Sequence, residues 1–191
     1  MQRADADHQA RRLLAAVADG DKSSMEEFYE MFERDVYAFA RSRLDDPHAA
    51  ADILHEVMLA VWRTAGRFQG GSRVRTWLLG IANNKVLDAL RRRGRRAHEE
   101  LDDGMPDEAA EAGERAVAAA QHSRSVLRCL ESLNDRHRQV VHLAFFEDLS
   151  YGEIAQVVDC PPGTVKTRMY HARNLLKRCL ERMGVNGALV Q

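Results

Sequence analysis

With 191 residues, 45% of them hydrophobic and 30% charged, the chain has room for one or two small globular domains and is too polar for a membrane protein. No apolar stretch reaches the roughly 18 residues of a membrane span, and "MQRADADHQARRLL" lacks the apolar segment of a secretory leader, so a cytoplasmic protein without membrane insertion is expected. The formal net charge of −1 conceals segregation: residues 63–96 carry ten Lys or Arg against Asp88, residues 99–115 carry eight acids against one base, and residues 163–178 carry five bases and no acid. Two cationic islands suit a polyanion, and the acidic stretch between them would be repelled by one.

The first predicted helix lies in "SSMEEFYEMFERDVYAFARSRL". Ser23 and Glu26 are spaced as a capping box, and Phe28, Met31, Phe32, Val36, Phe39 and Ala40 recur at helical spacing. In "DDPHAAADILHEVMLAVWRTA", Asp46 is the expected N-cap, Pro47 takes the first helical position, and Ile53, Leu54, Val57, Met58, Val61 and Trp62 form the apolar face. "RFQGGSRVR" reads as a Gly-rich basic loop. "TWLLGIANNKVLDALRRRGRR" reads as a further helix with a basic end, stopped near Gly94. Residues 97–122, acidic and Ala-rich with Gly104, Pro106 and Gly113, read as a flexible or weakly helical linker.

A second helical unit follows in "SVLRCLESL", "DRHRQVVHLAFFE", "SYGEIAQVVD" and "PPGTVKTRMYHARNLLKR". Ser150 and Glu153 form a capping box on a short helix, "DCPP" interrupts it, and Pro162 opens a longer one, which is the helix-turn-helix pattern. At 100° per residue, Val165, Met169, Ala172, Leu176, Cys179 and Leu180 share one sector. Lys166, Thr167, Tyr170, His171, Asn174, Lys177 and Arg178 share the opposite one. The plainer account of that second sector is a solvated helix face. The absence of acids over residues 161–178, behind a short capped helix and a turn, favours a helix that enters the major groove of DNA.

The first unit has its own cations, interleaved with Trp62, Phe68 and Trp77. Aromatic rings stack on unpaired bases while cations follow phosphates, so this composition suits single-stranded nucleic acid. Each Trp taken alone reads more simply as core. The loop Gln69-Gly70-Gly71-Ser72 allows close approach of a flipped base, and Asn83 and Asn84 offer hydrogen bonds to base edges.

"HEVML" at 55–59 begins like a zinc-protease helix, but Leu59 stands where the second His would be, and no metal site, cofactor or catalytic residue is expected. Asp52, His55 and Glu56 form instead a polar face for a protein or for solvent. Cys129, Cys160 and Cys179, 31 and 19 residues apart, match no metal or redox spacing and read as small, partly buried hydrophobes in a reducing compartment.

The stretches "DILHEVMLAVWRTAGRFQGGSRVRTWLLGIANNKVLDALRRRGRR" and "LNDRHRQVVHLAFFEDLSYGEIAQVVDCPPGTVKTRMYHARNLLKR" resemble regions 2 and 4 of bacterial sigma factors of the extracytoplasmic-function group, in that order and with an acidic linker between them. The resemblance implies an all-α protein with two small helical domains: region 2 over 1–96, the linker over 97–122, region 4 with its helix-turn-helix over 123–183, and a tail over 184–191. It implies a non-enzymatic protein that binds core RNA polymerase and directs it to promoters.

Residue by residue, the resemblance assigns Asp52, His55 and Glu56 to the polymerase contact. It assigns Arg67, Phe68, Gln69, Ser72, Arg75, Trp77, Asn84, Asp88 and Arg91 to melting and reading the −10 element. It assigns Thr164, Lys166, Thr167, Arg168, Tyr170, His171 and Arg173 to the double-stranded −35 element. The linker would thread towards the polymerase active-site cleft and RNA exit path. An anti-sigma factor is an implied partner, and an obligate homo-oligomer is not expected. The chain departs from the group at His55, where Gln is usual, at Pro161, where a capping Ser is common, and at His171, where Arg is frequent. A conventional helix-turn-helix regulator of the response-regulator output type is the alternative, and it leaves the first basic island without a purpose. A nucleic-acid enzyme would need metal-ligand carboxylates that the sequence does not assemble.

Overall fold

A computed structural model describes residues 2–44, 46–99 and 124–184; the linker over 100–122 and the tail beyond Gly184 lie outside the described residues. In chain order the helices are α1 (Gln2–Ala18), α2 (Lys22–Arg41), α3 (Pro47–Thr64), a 3-10 turn (Ala65–Arg67), α4 (Val74–Glu99), α5 (residues 124–131), α6 (Asp135–Phe145), α7 (Tyr151–Val157) and α8 (Pro162–Arg182). The architecture is all-α, in two compact units built on α1–α4 and on α5–α8.

In the first unit α2 packs on α1, α3 and α4, and α3 packs on α4. The anticipated apolar stripe of α2 supplies the centre: Phe28, Phe32, Val36, Phe39 and Ala40 are buried, with the Phe28 and Phe32 rings 4.8 Å apart. From α3 come Ile53, Leu54, Val57, Met58 and Val61, and from α4 Val74, Leu78, Leu79, Ala82 and Val86. Each large side chain removed from water contributes about 1.5–3 kcal/mol. Trp62 departs from its reading as core: it sits at the surface, 37% exposed.

The cap of α2 is not the Ser23–Glu26 box. Asp21 takes that place, its carboxylate accepting from the Ser23 and Ser24 N–H groups at 3.1 and 3.3 Å. A carboxylate that serves two orphan donors starts the helix at Lys22 and leaves Ser23 inside it. The same bonds, chiefly that from the Ser24 hydroxyl, lower the Asp21 pKa. Asp46 caps α3 as expected, accepting from the His48 N–H at 2.8 Å with Pro47 in the first turn. The helix α4 does not stop at Gly94 but runs on to Glu99, because a glycine inside a helix costs only about 1 kcal/mol and ends it only where the backbone turns left-handed. Residues 97–99, assigned to the linker, are therefore helical.

The helix α1 has no counterpart among the predicted elements. Its buried face, Ala10, Leu13, Leu14 and Val17, repeats at i, i+3, i+4 and i+7 and packs on α2 and the 3-10 turn.

In the second unit α6 packs on α8, and Val140, Val141, Leu143, Ile154, Val165, Met169 and Ala172 are buried. Arg138 serves the end of α5, donating to the carbonyls of Leu130 at 3.1 Å, Leu133 at 3.0 Å and Glu131, so that carbonyls orphaned by the helix end find donors. Two of the cysteines are not independent hydrophobes: Cys129 on α5 and Cys179 on α8 form a disulfide across a Cα–Cα distance of 5.7 Å, while Cys160 stays free and half-buried.

Candidate nucleic-acid interface

The loop between the 3-10 turn and α4 is shaped by its own residues and by α1. Gly70 has φ +74°, a left-handed conformation that a side chain would strain. The Phe68 ring packs on Trp77 with centroids 5.4 Å apart, so one aromatic of the loop leans on one of α4. Arg67, Gln69 and Asn84 are exposed, and Phe68, Ser72 and Trp77 are half-buried. This is a surface of aromatic edges and hydrogen-bonding groups beside cations, able to stack on bases and to bond their edges.

The assigned residues of this region do not all stand alike. Arg75 is engaged by Asp35 of α2, Nε to Oδ2 at 2.6 Å, and Arg91 pairs with Asp88 one turn back at 3.1 Å. Of the two neighbouring amides, Asn83 and Asn84, Asn84 is the exposed one. On α3, Asp52 and His55 are exposed and Glu56 is half-buried. Glu56 binds Lys85 at 3.0 Å and Arg92 at 3.9 Å, which ties α3 to the basic end of α4. Among the described residues no group of three His, Cys, Asp or Glu is placed to hold a metal ion.

In the second unit the capping box at α7 forms as anticipated: the Ser150 N–H donates to Glu153 Oε2 at 3.0 Å, and the Glu153 N–H to Ser150 Oγ at 3.3 Å. Asp159, at φ +48°, makes the sharp turn towards α8, and such a conformation suits Asp better than a branched residue. No side chain caps α8, whose N-cap is Pro161 with Pro162 in the first turn.

Along α8 the predicted division of faces is present. Val165, Met169, Ala172 and Cys179 are buried, and Leu176 and Leu180 are half-buried. Lys166, Thr167, Tyr170, His171 and Arg173 are exposed, while Thr164 and Arg168 are half-buried. The Thr167 hydroxyl donates back to the Gly163 carbonyl at 3.0 Å, and Tyr170 stands 65% exposed with its ring edge towards His171. His137 of α6 lies beside this face, its ring centroid 6.2 Å from that of His171. Its Nδ1 is buried with no hydrogen-bond partner among the described residues. Burial, then the nearby His171 and Arg168, lower its pKa. Sequence reading did not single out His137, since nothing local marks a residue that faces a helix more than 30 positions on.

The Sigma-70 region 2 family matches residues 28–96, and the Sigma-70 region 4 family matches residues 123–176. Proteins named ECF RNA polymerase sigma factor SigK, from Mycobacterium bovis and Mycobacterium tuberculosis, are 30% identical over 173 residues, covering 88% of this chain and 92% of theirs. The RNA polymerase sigma-H factor of Pseudomonas aeruginosa is 29% identical over 91% of this chain and 94% of its own. Among solved structures, CnrH in complex with the cytosolic domain of CnrY matches with TM-score 0.66 at 22% identity, covering 91% of this chain and 98% of that one. The sigma factor RpoE of Bartonella quintana, solved in complex with the anti-sigma factor NepR, matches with TM-score 0.62 at 23% identity, covering 82% and 96%.

Proposed function

The chain belongs to the ECF sigma factors, with Sigma-70 regions 2 and 4 in order, and it directs transcription initiation by RNA polymerase; from that premise we propose which of its surfaces does which part of the work. Region 2, residues 1–96, docks core polymerase through Asp52, His55 and Glu56 on α3. Arg67, Phe68, Gln69, Ser72, Arg75, Trp77, Asn84, Asp88 and Arg91, on the loop and the elements that flank it, receive the opened −10 strand. Region 4, residues 123–183, lays α8 in the major groove of the −35 element. There Thr164, Lys166, Thr167 and Arg168 lie on the first turns, and Tyr170, His171 and Arg173 follow along the same helix.

The observation that carries the reading is the division of α8 into a buried apolar sector and an exposed sector free of acids from residue 161 to 178. A helix that packs by one face and presents donors on the other is what major-groove readout requires. The chain catalyses no reaction of its own in this scheme; it lends binding energy and specificity to the polymerase. It works in the cytoplasm, where polymerase and chromosome are, and among the described residues no helix is long and apolar enough to cross a membrane. The CnrH and RpoE structures, solved with CnrY and with the anti-sigma factor NepR, support an anti-sigma partner for this chain as well.

The test is reconstitution. Purified chain added to core polymerase yields promoter-dependent transcripts without another sigma factor. A helix-turn-helix regulator would need one, and silence on every promoter in a run-off screen would overturn the assignment.

A further inference from the structure

The helix α1 carries a pair of side chains that reaches across to the loop. Asp7 and Arg11, one turn apart, form an ion pair with Nε to Oδ2 at 2.7 Å. The same guanidinium donates through Nη2 to the Ser72 carbonyl at 2.6 Å and through Nη1 to the Gly70 carbonyl at 3.5 Å, and its Cζ lies 5.3 Å from the centre of the Phe68 ring. The other oxygen of Asp7 accepts from the Val74 N–H at 2.8 Å. Val74 is the first residue of α4, so an aspartate 67 positions earlier supplies the N-terminal cap that the adjoining Arg73 has no acceptor to give. Three alternate loop positions, 68, 70 and 72, and the first residue of α4 are thus held by one pair. A Cβ at Gly70 would come within 3.1 Å of Arg11 Nη1, so the close approach and the positive φ both require glycine there.

We propose that Asp7 and Arg11 are positioning residues for promoter opening: they fix the loop in the shape that accepts the unpaired −10 strand, and they touch no DNA themselves. The proposal rests on the reading that this loop receives the opened strand. Its physical content is preorganisation. A loop closed on Gly70 and Gly71 has many conformers, and ordering it at the moment of melting would oppose capture of the base. Three of the five guanidinium N–H donors of Arg11 are turned inward to a carboxylate and two carbonyls, and its charge is answered by Asp7, which favours holding the loop over contacting a phosphate. The exposed Arg67 at the mouth of the loop is the residue placed for that role.

The experiment uses the full chain with core polymerase on a promoter found by run-off screening, with 2-aminopurine in the −10 element reporting base unstacking. Arg11→Ala is expected to keep core binding and to lower the equilibrium constant for opening about tenfold, as befits the loss of one to two net hydrogen bonds. Arg11→Lys keeps the charge but not the fork, and does not rescue. Arg67→Ala lowers the slope of log affinity against log salt by about 0.7, the value for one phosphate of a single strand, whereas Arg11→Ala leaves that slope unchanged. Asp7→Asn keeps an oxygen for the Val74 N–H and loses the ion pair, so it opens promoters better than Asp7→Ala. Hydrogen exchange at the Val74 amide quickens in Asp7→Ala alone, and if Arg11→Ala fails to fold, the two Asp7 variants decide. Wild-type opening by Arg11→Ala while Phe68→Ala is defective overturns the proposal and spares the loop assignment. A salt slope lowered by Arg11→Ala makes Arg11 a phosphate contact and also overturns it. Wild-type opening by Arg11→Ala and Phe68→Ala alike removes the loop assignment beneath it.

Discussion

On α8, Lys166, Tyr170, Arg173 and Lys177 follow one another at spacings of four, three and four, and all are exposed. They form a stripe about 16 Å long, at 1.5 Å per residue, running from the first turns of the helix towards its end. A recognition helix meets base edges with its N-terminal residues, and its far end lies over the backbone. Lys166→Ala should therefore act on specificity. Losing a base-edge contact costs about 1–3 kcal/mol, so the preference for the true over a scrambled −35 element should fall about 5- to 150-fold, with the salt slope unchanged. Arg173→Ala and Lys177→Ala should do the reverse. Each should lower the slope by about 0.9 and weaken binding to both sequences alike, so the double variant loses about 1.8. The assay is holoenzyme binding to the two duplexes across a salt titration, with pull-down of core polymerase as the control expected not to move. The reasoning fails if Lys166→Ala lowers the slope and leaves discrimination intact, for then the helix is not oriented with its first turns on the bases.

Asp52→Arg should leave stability within about 0.5 kcal/mol, as for an exposed side chain, yet abolish retention by core polymerase; retained binding would take α3 out of the contact. The lowered pKa of His137 has a definite sign. The unfolded chain, with its ordinary value of 6.5, binds more protons than the folded one, so stability should be full above pH 6.5 and decline as pH falls from there towards the folded-state pKa. The groups facing His137 from α8 are His171 and Arg168, and His137→Asn should remove this part of the acid sensitivity in denaturant titrations. Reducing the Cys129–Cys179 bridge, which spans 50 residues, should destabilise the second unit by about 4 kcal/mol on chain-entropy grounds and leave the first unit unchanged, as read by calorimetry with and without reductant. An unchanged transition would refute that estimate.

What could be read from the chain was whatever repeats locally. The stripe of α8, the Ser150–Glu153 box and the Asp46–Pro47 start all have partners within a few residues, and all three are present in the structure. The face of α1 is equally readable, since Ala10, Leu13, Leu14 and Val17 keep helical spacing. Gly94 and Ser23 misled because a glycine and a serine permit a helix end without compelling one, and Asp21 offered a better acceptor. Neither the cap that Asp7 gives Val74, the approach of His137 to His171, nor the bridge between Cys129 and Cys179 had a local signal. Their separations in sequence are spanned only once helices pack, and no period or motif encodes that.

That bridge changes the topology of the second unit as well as its stability. With Cys129 and Cys179 joined, α6, α7 and nearly all of α8 sit inside a covalent ring. One cut of the main chain within that ring opens it without releasing a fragment. The pieces stay attached through sulfur, at the high effective concentration of an intramolecular partner, and can pack together again. While the bridge is oxidised, the second unit can thus survive a nick that would separate an unbridged helix-turn-helix into two peptides.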